Sequence, residues 1–209
     1  MNAPSHAALV DRARTLVERM HAVERWAYAL ELAVGGEGLK SAVERAGYAL
    51  VEDDMEAKAR RYEASESSEA TDVLVTLERP DLGLVLVQAY GSGTVDRLGS
   101  VLEVTGFVPQ SQLLSKAYDV GTPEAAQALS ALAHMVVSWD GDWADLFLLH
   151  LASPDPKARH DAAVATVVAA LSAREREPAR SLLSEALARE SFPQLRETLS
   201  EALKTVGSL

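Results

Sequence analysis

The stretch Val73-Leu-Val-Thr-Leu-Glu-Arg-Pro-Asp-Leu-Gly-Leu-Val-Leu-Val-Gln-Ala-Tyr90 decides the fold of this chain, because it reads in two ways. As a β-hairpin, Val73, Val75 and Leu77 alternate on one side of Arg79-Pro80-Asp81, and Leu84, Leu86 and Gln88 on the other. A hairpin standing alone needs a helical layer to cover it. As two short helices in a helical stack, the same residues fit the rest of the chain, and that is the expectation taken forward. The surroundings favour it. The 209 residues include 35 Ala and 29 Leu, both strong helix formers, and aromatics are only 5%.

Periodicity points the same way. Val23, Ala27, Leu30 and Val34 recur at helical spacing, and Gly35-Gly36 then stops the run. Leu39, Val43, Ala46 and Leu50 form a second stripe, and Leu195, Leu199, Leu203 and Val206 a third. Helices are predicted over about 5–20, 21–34, 38–60, 69–78, 80–90, 94–105, 109–119, 122–137, 142–152, 156–172, 176–189 and 192–206, some of them fused. Tyr62 to Thr71 is small, polar and acidic, and is predicted to be a loop or a frayed end. The organisation expected is one helical domain over 1–209, with an N-terminal portion 1–62 and a repeat portion 72–209.

The second half repeats itself. Segments beginning at Leu114, Leu148 and Leu183 each show an apolar helix end, a polar turn, a proline and an amphipathic helix. The prolines are Pro123, Pro156 and Pro193. A helix pair of this length cannot bury its face alone, whereas stacked pairs share a core. Leu148-Leu149, Asp155-Pro156, Ala158-Arg159 and Ala162-Ala163 together resemble a HEAT repeat of the bacterial HEAT-like type. The resemblance is clearest over 148–171 and extends over 110–209, with Phe192-Pro193 in place of Asp-Pro in the third segment and Ala126 at the arginine position in the first. It implies an all-α fold, an α-solenoid of stacked antiparallel helix pairs. It also implies that Arg159 and Arg196 bond to an acid of the neighbouring repeat, a structural role, and it says almost nothing about activity.

Charge narrows the function. The net charge is −11, and 51–150 carries all of it, with 17 acids against six bases. Between Leu98 and Pro156 the only Lys or Arg is Lys116. Phosphate backbones are bound through Lys and Arg, so nucleic acid is not an expected partner. The absence of cysteine removes disulfides and thiolate sites. No apolar run approaches a membrane span, and the first ten residues lack a secretory pattern, so a cytoplasmic protein without membrane insertion is expected.

Candidate chemistry is sparse. Gly35 to Ser41 suggests a phosphate loop, but Leu39 separates Gly38 from Lys40 and Glu37 would face the phosphates; with no strand expected before it, an interhelix turn is expected. Trp139-Asp-Gly-Asp-Trp-Ala-Asp145 has the wrong glycine position and no twelfth-position acid for a calcium loop. His6, His21, His134, His150 and His160 show no zinc spacing, and no serine sits in a nucleophile elbow. Asp53-Asp54 and Glu175/Glu177 lie in charge runs and are expected to be solvated. No catalytic residue, cofactor or metal is therefore expected. The site expected is a partner-binding patch of Trp139, Asp140, Asp142, Trp143 and Asp145, where aromatic anchors sit among acids. It would face another protein, and a basic surface on that protein would complement the acids. The function expected is a non-enzymatic interaction module, an adaptor or regulator. A neutralising partner of a basic toxin is a narrower version. An enzyme resembling DNA alkylation-repair glycosylases, using Trp139, Trp143 and Asp145, and a HEAT-like chromophore lyase are the competing classes.

Overall fold

The structure is a computed structural model that describes residues 25–34, 37–65, 71–91, 94–105, 107–139 and 141–208. The chain divides into two compact units, Met1–Pro109 and Gln110–Leu209.

The first unit corrects the all-α expectation. It contains a five-stranded antiparallel sheet, so the chain is mixed α/β and not an α-solenoid throughout. The strands are β1 (Arg25–Glu31), β2 (Ala49–Asp54), β3 (Ala59–Ser65), β4 (Thr71–Arg79) and β5 (Leu84–Tyr90). Helix α1 (Glu37–Arg45) lies between β1 and β2, and α2 (Thr94–Thr105) follows β5. The spatial order β1-β5-β4-β3-β2 places the first strand beside the last. The expected helices 21–34, 69–78 and 80–90 are thus replaced by β1, β4 and β5 in their described parts. The expected helix 38–60 ends at Arg45 and gives way to β2 and β3. Of the expected loop, Tyr62–Ser65 belongs to β3 and Thr71 to β4, while 66–70 lie outside the described residues, as does the expected helix 5–20.

The hairpin forms because Arg79-Pro80-Asp81-Leu82-Gly83 has the chemistry of a turn. The Leu82 N–H donates to the Arg79 carbonyl at 3.0 Å, and Gly83 takes φ +67°, a conformation glycine adopts at little cost. The pair Arg79↔Leu84 closes the ladder, which runs to Val73↔Tyr90. Both faces of this hairpin are buried. On one face Leu74, Val85, Val87 and Ala89 join Tyr28, Leu30, Tyr62 and Ala64 under Leu39 and Val43 of α1 and Leu98 and Val101 of α2. On the other, Val73, Val75 and Tyr90 form a separate buried cluster.

The second unit is helical throughout its described length: α3 (Gln110–Ala117), α4 (Pro123–Ala133), α5 (Gly141–Leu151), α6 (Pro156–Ala173), α7 (Glu177–Arg189) and α8 (Pro193–Gly207). Proline opens α4, α6 and α8, where its missing N–H costs nothing. Thr122 Oγ1 accepts from the Ala125 N–H at 3.1 Å, and Asp155 Oδ1 from the Lys157 N–H at 3.1 Å, so side chains cap α4 and α6. The three proline-started helices pack in series, α4 on α6 and α6 on α8, while α5 packs on α7. Ala162, Ala163 and Ala165 of the central α6 are fully buried. Alanine there lets neighbouring helices approach closely.

Candidate functional site

The aromatic and acidic patch sits at the start of α5. Trp139 precedes the helix, Asp142 lies in its first turn, and Trp143 and Asp145 follow. Residues three or four apart share a helix face. Asp142 and Asp145 accordingly share one side and are exposed, whereas Leu146, Phe147, His150 and Leu151 are buried. Both tryptophans are half-buried. The Trp139 ring packs on Phe147 with centroids 5.2 Å apart and planes tilted by 53°. One side of Trp139 is thereby committed to the core, and its buried Nε1 has no hydrogen-bond acceptor among the described residues. The patch is a shelf of two half-buried tryptophans beside two solvated carboxylates. Asp140 lies outside the described residues.

A second construction lies between the turn before α6 and the turn before α8. Arg159 donates from Nε to Glu190 Oε2 at 2.7 Å and from Nη2 to Oε1 at 3.2 Å. Its Nη1 donates to the carbonyls of Ser153 and Pro154 at 2.8 and 3.0 Å. Glu190 Oε1 also accepts the N–H groups of Ser191 and Phe192 at 2.9 and 2.8 Å, which fixes the turn leading into α8. Arg159 therefore reaches an acid of the following helix pair. Arg196 does not use an acid in the same way: its Nη1 donates to the carbonyls of Leu187 and Glu190 at 3.0 and 2.8 Å. The hydrogen bonds from Arg159 hold the Glu190 carboxyl below its ordinary value, against the opposing effect of burial. A cleft of about 260 Å³ opens here, lined by Leu148, Leu151, Ser153, Ala186, Arg159 and Glu190 among others. Its buried carboxylate is fully engaged, so the cleft is the seam of a clamp.

Sequence reasoning missed a third cluster, in the first unit. Arg97 of α2 donates from Nε to Asp72 Oδ2 at 3.3 Å and from Nη1 to the Ala46 carbonyl at 3.1 Å, with its guanidinium 5.8 Å from the Tyr48 ring centre. It ties α2 to β4 and to the end of α1. Gly91, at φ +109°, brings the backbone so near Asp72 that a Cβ there would lie 2.2 Å from Oδ1. Pairs separated by 25 and 51 residues leave no local sequence signal.

The remaining candidates are placed as follows. Gly35 and Gly36 lie outside the described residues, and Lys40 and Ser41 stand within α1. A strand, β1, does precede that segment, contrary to expectation. His6 and His21 lie outside the described residues; His134 is buried. His160 Nδ1 lies 3.4 Å from Thr198 Oγ1, and the buried His150 bonds through Nε2 to the Ala117 carbonyl at 2.7 Å. Among the described residues no group of three or more His, Asp or Glu is placed to hold a metal ion, and no helix is long and apolar enough to cross a membrane. Comparison with protein-family models, with curated proteins and with solved structures gives no match for this chain.

Proposed function

We propose that this chain is a non-catalytic protein-binding module, an adaptor or regulator of a cytoplasmic complex, whose 110–209 unit is a HEAT-like array. The array holds a partner with a basic surface at the start of α5. The observation carrying this reading is the shelf itself: half-exposed Trp139 and Trp143 beside exposed Asp142 and Asp145. Aromatic anchors next to charge are common binding hot spots, and opposed potentials speed encounter. The serial packing of α4, α6 and α8 and the Arg159–Glu190 bridge support the repeat-array part. The test captures partners with the intact chain and with two variants, Asp142→Asn/Asp145→Asn and Trp143→Ala. Binding by the reading proposed falls in both, and its salt dependence flattens in the first. A partner retained at equal affinity and equal salt dependence by both variants overturns the assignment of this shelf.

A further inference from the structure

We propose, resting on the reading that the start of α5 is a contact site, that its occupant is an amphipathic helix of the partner lying antiparallel along the outward face of α5. Lys or Arg of its last turns meets Asp142 and Asp145, and an apolar side chain of its first turns enters the cleft beside α7. Leu146, Phe147, His150 and Leu151 are buried and mark the inner side of α5. At roughly 100° per residue, Asp142, Asp145, Leu148, Leu149 and, just past the helix end, Ala152 fall on the opposite side. This face changes character along its length. Its first half is acidic and exposed. Its second half is apolar: Leu149 is 44% exposed, Ala152 is exposed, and Leu148 and Ala152 line the cleft with Leu151 and Ala186.

Charge selects one end of the occupant. Among the described residues the carboxylates of Asp142 and Asp145 have no ion-pair or hydrogen-bond partner. The dipole of α5 offsets part of the Asp142 charge, but its effect fades past the first turn, before Asp145. The arginines at the cleft are committed, Arg159 to Glu190 and Arg189 to Glu185, so they add no net charge there. Shape selects a helix. The outward face of α5 presents side chains and no ladder of free backbone groups, so a partner segment must satisfy its own N–H and C=O groups, as a helix does. The ten-residue step from Asp142 to Ala152 spans about 15 Å, which three turns cover. Cations are favoured at a helix C-terminus, so an antiparallel helix carries them over the acids while its apolar first turns meet Leu149. A second copy of this chain fits poorly. Antiparallel pairing of two α5 faces would press each Asp145 onto the partner copy's apolar half, where a carboxylate is costly to bury.

The test titrates the isotopically labelled full chain with a stapled helical peptide of about 14 residues, following backbone amide resonances. The peptide carries leucine on one stripe of its first turns and lysine on the same stripe of its last turns. One control has the same composition with a central proline and no staple, and another has glutamate for lysine. Shifts over 142–152 and 186–191, seen with the first peptide only, are expected. Affinity should fall about tenfold in Leu149→Gln, which loses apolar contact but no charge. It should fall also in Asp142→Asn/Asp145→Asn, with a flatter salt dependence. These side chains are exposed, and circular dichroism checks that each variant keeps the fold; Ala152→Gln reads the same apolar contact if Leu149→Gln does not. Equal binding by the proline peptide reduces the effect to charge alone and overturns the proposal, as does absence of binding. Dimerisation of the free chain by sedimentation, lost in Leu149→Gln, assigns the face to a second copy and overturns it equally. Loss in the Asn pair with Leu149→Gln unchanged overturns the docked helix and leaves the contact at the start of α5 standing. Failure of that earlier reading shows separately, as partner capture unaffected by Asp142→Asn/Asp145→Asn and by Trp143→Ala.

Discussion

The hairpin Val73–Tyr90 and the helix pair around Pro156 are built from similar residues, yet they are stabilised in different ways. In the hairpin, both faces are buried and its turn demands particular backbone angles, so the chain's geometry at a few glycines decides whether the strands register. In the helix pair, α6 is buried by its neighbours through small side chains, and its backbone needs only a cap and a proline at its start. The sheet unit is therefore sensitive to backbone freedom, and the helical unit to side-chain volume and charge.

The sharpest way to break the helical side is Ala162→Asp. Ala162 is fully buried on α6, so the carboxylate enters without a partner; a loss of about 3–5 kcal/mol in denaturant-induced unfolding is expected. Unchanged stability would mean that face is open. On the sheet side the matching experiment is Gly91→Ala, where strain at φ +109° and the clash with Asp72 together cost about 2–4 kcal/mol. Gly83→Ala is its control: φ is also positive, but nothing lies within 4 Å of the new Cβ, so about 1 kcal/mol is expected.

Glu190→Gln tests the seam between the second and third helix pairs. The amide keeps an acceptor but leaves Arg159 without its counter-charge, for a loss of about 1–3 kcal/mol at neutral pH by thermal unfolding. Because the carboxyl is held below its ordinary 4.5, its contribution is complete above that pH and is lost as the pH falls further; the variant should lack this acid limb. The smallest effect belongs to His150. Burial lowers its proton affinity below the ordinary 6.5, so the unfolded chain takes up the proton first on acidification. Stability should fall below about pH 6.5 by at most about 1.4 kcal/mol per pH unit, and His150→Gln should flatten that slope.

The helical unit was legible in the sequence because its signals are local, although the helix expected over 122–137 ends at Ala133. Pro123, Pro156 and Pro193 stand at the starts of α4, α6 and α8, and the Thr122 and Asp155 caps precede two of them. The sheet was not, for physical reasons. With both faces buried, the middle of β4 (Val73 to Val75) and the start of β5 (Leu84 to Val87) carry apolar residues on both faces, so the alternation of a half-buried strand is weak. In β1 the period-two signal rests on Trp26, Tyr28 and Leu30, while Ala27 and Ala29 between them mimic a helix. Leu39 and Leu50, read as one stripe, belong to α1 and β2. The turn Arg79-Pro80-Asp81-Leu82-Gly83 was the local clue that outweighed composition. The site at α5 was legible as residue types, but the lodging of Trp139 against Phe147 depends on an orientation that spacing does not supply. The charge map also needs dividing. The acidic middle, 51–150, spans the boundary between the units at Pro109 and Gln110.

The strand order has a consequence for synthesis. Strand β1 is the first of the strands to be made, yet its partner is β5, so Glu31 is added 59 residues before Tyr90. At about 5–20 residues per second, β1 waits roughly 3–12 s with its apolar side chains and hydrogen-bonding edge uncommitted. Each helix pair of the second unit, in contrast, meets its mate as soon as the next turn is made. The nascent chain thus passes this interval before any of the helical unit exists, and a chaperone acting on it would find Trp26, Tyr28 and Leu30 as an apolar handle.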